Sequence, residues 1–455
     1  MMQKLPALIL YVLCIALVSA VFLGYHNGEF SKRTLADYKN DPRIYNDMAL
    51  TMLHTRSLVD ENFLFAEPYR KSPGYPLVLA VAYGVFGERP LSAEVLNLVF
   101  WLLGIIILWK ISSRFLDGYF AYIPPLLLAL YWGVATFVVG VTSDIFALFL
   151  GLSFVYSLFR FSDSSAIRYI FFAGVAAGFL LITKPVILYG LPFMCVSFLL
   201  SPNTISRRRP LYGCIAFAGA VLFLALWMIY NHSLVGTYQL ASGAATLSKR
   251  ADDIYLTPRR AVTFLVASAF GDYVTGRIVP GYADDPEPHT VESLRRQKAY
   301  ARSFTRRDTE RDITIQKEFY GELFRMIRER PVKFTVLAVP YLFRMNAPTN
   351  LEGVEIISLF SGTYQYIPPL VKILVLLLLR SLWFVFLGFV VVGILYALKS
   401  WRDWFTIIWL VVFTNGMYAL VSHGEARFIV PIIPFYFLLA TFAYYKLRVK
   451  EKARS

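Results

Sequence analysis

Apolar runs of about 17–25 residues recur along this chain, the length a helix needs to cross the hydrocarbon core of a bilayer. No other feature restricts the fold as strongly. Lipid-exposed backbone must satisfy its own hydrogen bonds, so strands are not expected in the spans. Composition agrees: 57% of the residues are hydrophobic and mean hydropathy is +0.55. Only 16% are charged, against about 25% in an average soluble chain. The expected fold class is an all-α polytopic membrane protein.

The net charge of +15 would point to nucleic acid in a soluble protein. Here much of the basic charge lies in short connections between apolar runs. There it reads as a topology signal and as contact with anionic membrane lipids, with no nucleic-acid partner. Cys14, Cys195 and Cys214 all fall in apolar runs, which excludes a disulfide framework or a zinc spacing.

The first run, about 6–24, follows Lys4 and lacks a clear small-residue cleavage site, so it reads as a retained anchor. The run "PGYPLVLAVAYGVFG" (Pro73–Gly87) is short, and positive charge decides how to treat it. If it lies at the interface, spans follow at about 92–110, 119–140, 144–160, 167–183, 186–201 and 212–231, and Arg207–Arg209 falls inside. Three more spans, about 381–398, 403–421 and 428–446, close the chain. The expected architecture is one membrane domain, residues 1–455, with about ten spans. Two large external segments, about 25–91 and 232–365, carry interfacial helices in the first case and a helical cap in the second. The stretch 332–345 is either an eleventh span or an interfacial helix. Both termini then face the cytoplasm, and the polar segments face outward.

On that outer face acids and bases gather next to helix ends. Asp144 opens a span with almost no loop before it, and Lys184 sits between two apolar runs. A helix N-terminus favours an acid, and a lysine can snorkel, so both have plain structural readings. An ionisable group so close to lipid is nonetheless a functional candidate. Glu425 and Arg427 stand just before the last span, as a structural ion pair or as site residues. The five histidines show no metal-ligand spacing. Charge at one membrane face suits a lipid-linked anionic substrate better than a transporter, whose sites lie near the midplane. A flippase of lipid-linked sugar and a non-catalytic lipid-binding subunit are the rival readings.

The ordered motifs resemble a family. Asp41, Tyr45 and Ala49 form Asp-x-x-x-Tyr-x-x-x-Ala after the first span, followed by "YRKSPGYPLVLAVAYGVFG". Thr142-Ser143-Asp144, "LITKP", "WMIYNHSLVGTY" and "GEARFIVPIIP" follow in order. This set is similar to the GT-C glycosyltransferases that use polyprenyl-phosphate sugars, in the branch of protein O-mannosyltransferases and lipid A aminoarabinose transferases. The chain departs from the pattern where Pro42 follows Asp41, where Asp144 replaces the commoner glutamate, and where Lys184 replaces arginine and loses its bidentate fork.

The resemblance implies inverting transfer of a sugar from a polyprenyl-phosphate donor to an acceptor hydroxyl on the periplasmic face of the inner membrane, the acceptor being lipid, glycan or protein. It implies Asp41 as general base. Lys71, Arg70, Lys184 and Arg427 are candidates for the phosphate, and Tyr69 and Tyr75 for the sugar or the prenyl chain. Tyr45, Asn231 and His423 complete the candidate substrate-binding set with Asp144 and Glu425. No cofactor is assigned, and a divalent metal stays open with Asp144 as its candidate ligand. A helix over 41–54 would place Tyr45, Met48, Ala49 and Met52 on one side and turn Asp47 away toward solvent.

Overall fold

A computed structural model describes residues 5–26, 40–57, 71–200, 209–236, 238, 240, 250, 256–282, 309–347, 368–421 and 424–452. The described residues contain helices and no strands, as the lipid environment demands. Five stretches are long and apolar enough to cross a membrane: Pro90–Phe115, Asp144–Ser164, Leu211–Ser233, Pro369–Val421 and Ala426–Val449. Shorter apolar helices accompany them, among them Gly74–Phe86 and Ile167–Leu181. The all-α polytopic membrane class is therefore borne out.

The chain divides into two compact units. The first comprises Met1–Ser233, Val385–Phe413 and Val430–Ser455, and the second Leu234–Phe384 and Thr414–Ile429.

The first unit begins with α1 (Leu5–His26), α2 (Asn40–Thr55), α3 (Gly74–Phe86) and α4 (Pro90–Phe115). Next come α5 (Ile123–Leu130), the single turn α6 (Trp132–Ala135), α7 (Asp144–Ser164), α8 (Ile167–Leu181), α9 (Leu191–Leu199) and α10 (Arg209–Val235). The span expected over 119–140 is broken. Pro124 and Pro125 fit only a helix start, so α5 begins there, and extended backbone at Tyr131 separates it from α6. The 186–201 run is split the same way, into a 3-10 segment opened by Pro185 and α9 with Pro192 in its first turn.

α7 is apolar on all sides and is the buried centre of this unit, packed on α4 and α8. It lies parallel to α4. Near their starts, Asn97 of α4 donates from Nδ2 to the Gly140 carbonyl, 2.6 Å away, in the segment leading into α7. At their far ends Arg114 pairs with Asp163 at 2.5 Å. α8 crosses α10 backbone to backbone, because Gly174 leaves no side chain between them. A Cβ there would meet the Ala216 carbonyl oxygen at 2.6 Å.

The second unit holds α11 (Pro258–Phe270), α12 (Asp272–Ile278), α13 (Thr309–Glu329), α14 (Pro331–Val336) and α15 (Ala338–Met345). The 332–345 stretch is thus two short helices broken at Leu337. Eight residues of helix reach about 12 Å, so neither helix spans a bilayer core of about 30 Å.

α16 (Pro369–Ala397) starts well before the expected span at 381 and includes Arg380. Arg380 is tolerated because its guanidinium donates to the Ser268 and Ala269 carbonyls, at 3.2 and 2.8 Å, which close the last turn of α11. Arg250 is buried in similar fashion, donating to the carbonyls of Leu420 and Phe334 at 3.2 and 2.5 Å and lying over the Phe334 and Tyr341 rings. Leu420 belongs to α17 (Trp401–Val421), and α18 (Ile433–Lys452) ends the described chain.

The α8–α10 crossing yields a stability prediction. Gly174→Ala should lower unfolding stability in detergent by about 1–3 kcal/mol through overpacking. Gly213→Ala, on α10 with nothing within 4 Å of its Cβ, should change it by less than about 0.5 kcal/mol. Thermal unfolding of both variants checks this.

Candidate active site

The candidate site in the first unit is built on two carboxylate–ammonium pairs. α2 carries Asp41 in its first turn. Its carboxylate lies 2.9 Å from the Lys71 ammonium, and the two side chains are 23% and 30% exposed. Asp144 is the first residue of α7 and lies 2.6 Å from the Lys184 ammonium. Here the side chains are 3% and 14% exposed. One pair is open to solvent and the other is nearly shut off from it.

Two contacts tie the pairs together. Tyr45, one turn along α2 from Asp41, has its hydroxyl 3.2 Å from the Ser143 hydroxyl, next to Asp144. The Gly74 amide donates to the Ile182 carbonyl at 2.8 Å, joining the Lys71 segment to the Lys184 turn. The second contact needs glycine. A Cβ on Gly74 would overlap the Thr183 hydroxyl and stand 2.8 Å from the Ile182 oxygen. Lys184 lies in the turn after α8, its amide bonded to the Leu180 carbonyl at 2.8 Å, and Pro185 prevents continuation of the helix. Tyr75 is fully buried, with its ring edge-on to Tyr45 at 5.5 Å and tilted against Phe146 at 6.4 Å. It props Tyr45, over whose ring the Lys71 ammonium stands at 6.0 Å.

The structure corrects the expectation for Asp47, which is buried, not solvated. Asn46 donates to its carboxylate at 3.2 Å, Tyr83 of α3 donates to Asn46 at 2.8 Å, and Arg43 lies 3.6 Å away, one turn back. Burial pushes the Asp47 carboxyl above its ordinary value despite those contacts.

The remaining candidates are dispersed. Asn231 is fully buried near the end of α10, next to Tyr230, whose hydroxyl lies 3.3 Å from Ser57 just after α2. Glu425 and Arg427, in the second unit, pair with each other at 2.5 Å. Tyr69, Arg70 and His423 lie outside the described residues, as does most of the basic run Arg295–Arg311. Sequence reasoning passed over Gly74 as a contact point, Ser143 as the partner of Tyr45, and Glu94, a buried acid in the first turns of α4. A serine immediately before a helix-opening aspartate was the available signal for Ser143.

The donor set does not suit a divalent ion. Such ions take several oxygen ligands, whereas each site carboxylate already faces an ammonium. Among the described residues no three His, Cys, Asp or Glu side chains gather into a metal-binding group.

Comparison with known proteins gives this site a setting. Residues 70–230 match the family model described as dolichyl-phosphate-mannose-protein mannosyltransferase, and residues 368–455 match that of the Alg9-like mannosyltransferase family. The chain is similar to glycosyltransferases of the GT-C superfamily. The first match contains Lys71, Gly74, Tyr75, Asp144 and Lys184. No curated protein matches it.

Among solved structures it is similar to the oligosaccharyltransferase AglB from Archaeoglobus fulgidus in complex with an inhibitory peptide and a dolichol-phosphate. That likeness has 13% identity and a TM-score of 0.46, over 97% of this chain and 51% of that one. ArnT from Cupriavidus metallidurans bound to undecaprenyl phosphate aligns at 13% identity and a TM-score of 0.40, over 96% of this chain and 77% of that one. The chain thus spans about half the length of the oligosaccharyltransferase. At these identities and scores the likeness carries no argument of its own.

Two predictions follow from the site's construction. Gly74→Ala should destabilise the chain by about 1–3 kcal/mol, while Gly84→Ala, whose Cβ would meet only Leu53 at 3.4 Å, should be near neutral on thermal unfolding. Asp47 holds its proton more tightly folded than unfolded, so its contribution is favourable at low pH and is lost as pH rises through the raised folded value. Asp47→Asn should therefore raise the melting temperature at neutral pH, and the gain should shrink as pH falls toward about 4, near the ordinary carboxyl value.

Proposed function

We propose that this chain transfers a sugar from a polyprenyl-phosphate donor to an acceptor hydroxyl at the external face of the inner membrane, with inversion. Asp41 is the general base. The observation that carries this reading is the contrast between the two ion pairs: Asp41 and Lys71 are partly exposed, while Asp144 and Lys184 are nearly enclosed. The family model over residues 70–230, whose description names a dolichyl-phosphate donor, supports a lipid phosphate.

The acceptor oxygen attacks the anomeric carbon. The bond from that carbon to the phosphate oxygen breaks, and the polyprenyl phosphate leaves with the electron pair. The acceptor's proton passes to the Asp41 carboxylate, within hydrogen-bond reach, for a contribution of about 10²–10⁴-fold. Lys71, beside Asp41, meets the charge that develops on the departing phosphate. Lys184 stays with Asp144, and this pair anchors Ser143 and, through it, Tyr45. Of the other cations considered for the phosphate, Arg427 has Glu425 as an ion-pair partner in the second unit.

The charge distribution supports an external site. Arg114 and Asp163 mark the opposite ends of α4 and α7. Near that same end Asp117 accepts a hydrogen bond at 2.7 Å from Tyr445 of α18, shortly before the lysine-rich C-terminus. Positive charge at that end supports a cytoplasmic reading of it.

In membranes supplied with labelled polyprenyl-phosphate sugar, Asp41→Asn should lower transfer by about 10²–10⁴-fold at unchanged protein level. Full activity in that variant would sink the base assignment. Loss of lipid flipping in place of loss of transfer would favour the transporter reading.

A further inference from the structure

We infer that the Lys184 ammonium occupies, at Asp144, the position a divalent metal ion would take, so that the reaction centre carries its own fixed cation and works without metal. The second half of this statement rests on the proposed sugar transfer; the first half does not.

The case begins with Asp144. A carboxylate at the start of a buried helix, beside an accessible acid, is the kind of oxygen donor a hard cation selects. In this chain its Oδ1 is 2.6 Å from the Lys184 Nζ, and the aspartate side chain is 3% exposed. A metal ion bound there would have to displace the ammonium or sit beside it, and like charges so close in an enclosed site repel strongly. The second acid, Asp41, has Lys71 at 2.9 Å and presents the same obstacle.

Two neutral oxygens adjacent in sequence to Asp144 and Lys184 are also engaged. The Ser143 hydroxyl faces Tyr45, and the Thr183 hydroxyl donates to the Phe179 carbonyl at 2.6 Å. A hard cation needs about six oxygens, and these residues do not supply them.

The lysine, by contrast, is held from several sides. Its backbone is tied to the end of α8 by the bond to Leu180, and Ile182, two residues before it, is clamped by Gly74. Pro185 fixes the exit. The ammonium cannot be chelated away, and its single charge leaves the enclosed pair neutral overall. Lys184 is thus a positioning residue. It holds Asp144, and with it the Ser143–Tyr45 contact beside Asp41, without touching the reacting atoms.

The test uses the purified full-length chain in detergent with Mn²⁺ as probe, read by electron paramagnetic resonance, alongside transfer of labelled polyprenyl-phosphate sugar. The wild-type chain is expected to take up no stoichiometric Mn²⁺, and its transfer rate is expected to be unchanged by EDTA. Lys184→Glu, which sets a second carboxylate against Asp144, is expected to acquire one-to-one Mn²⁺ uptake that Asp144→Asn in the same chain removes. Lys184→Arg, which keeps a cation against Asp144, is expected to take up no Mn²⁺.

Stoichiometric Mn²⁺ uptake by the wild type that Asp144→Asn abolishes would overturn the inference. So would transfer that EDTA stops and Mn²⁺ restores, or a folded Lys184→Glu chain that binds no Mn²⁺. If the wild type transfers no sugar under any condition, the proposed reaction fails, while the Mn²⁺ readings still decide what occupies the position at Asp144.

Discussion

The bond from the Gly74 amide to the Ile182 carbonyl is the contact on which the site depends. It brings together two segments more than a hundred residues apart, each ending in a lysine's approach to an aspartate. Lys71 lies three residues before Gly74, and Lys184 two residues after Ile182. Any residue larger than glycine would push the segments apart and move both ammonium groups at once. Such a contact works because the two backbones meet directly, leaving no flexible side chain to absorb error.

Around this clamp the two ion pairs divide the work. A nearly buried pair is costly to break by removing one partner, about 3–5 kcal/mol in general, which makes Asp144–Lys184 a rigid base. The more exposed Asp41–Lys71 pair is screened by water and exchanges partners at small cost. Lys71 can change partners without breaking the enclosed pair. Tyr45 links the two levels, touching Ser143 with its hydroxyl and Lys71 with its ring face.

Much of this was legible in the sequence, and the rest was hidden for physical reasons. Apolar length alone established the helical membrane class, and the ordered motifs singled out Asp41, Asp144 and Lys184. The pairing of Asp41 with Lys71 was not legible, because it joins residues on separate elements. Asp47 was misread because a single helical wheel knows only one buried face. α2 has a second one, covered by Tyr83 of α3 through Asn46. Arg380 marked a false span boundary. A charge in an apolar run looks like an end until the carbonyls of another helix terminus are seen to receive it. Proline had the opposite fault: Pro124, Pro125 and Pro192 were visible, yet their power to divide expected spans into shorter helices was underweighted.

α7 carries an acid at each end, Asp144 and Asp163, and both acids are paired. Nineteen residues of helix separate them, about 28 Å of rise, close to the thickness of a hydrocarbon core. The helix is therefore gauged to the membrane and cannot slide along its axis without drawing an ion pair into oil. A bilayer much thicker or thinner than this gauge would tilt the bundle or deform locally to meet it. Lipid chain length thereby becomes a variable to which this chain's chemistry is mechanically coupled.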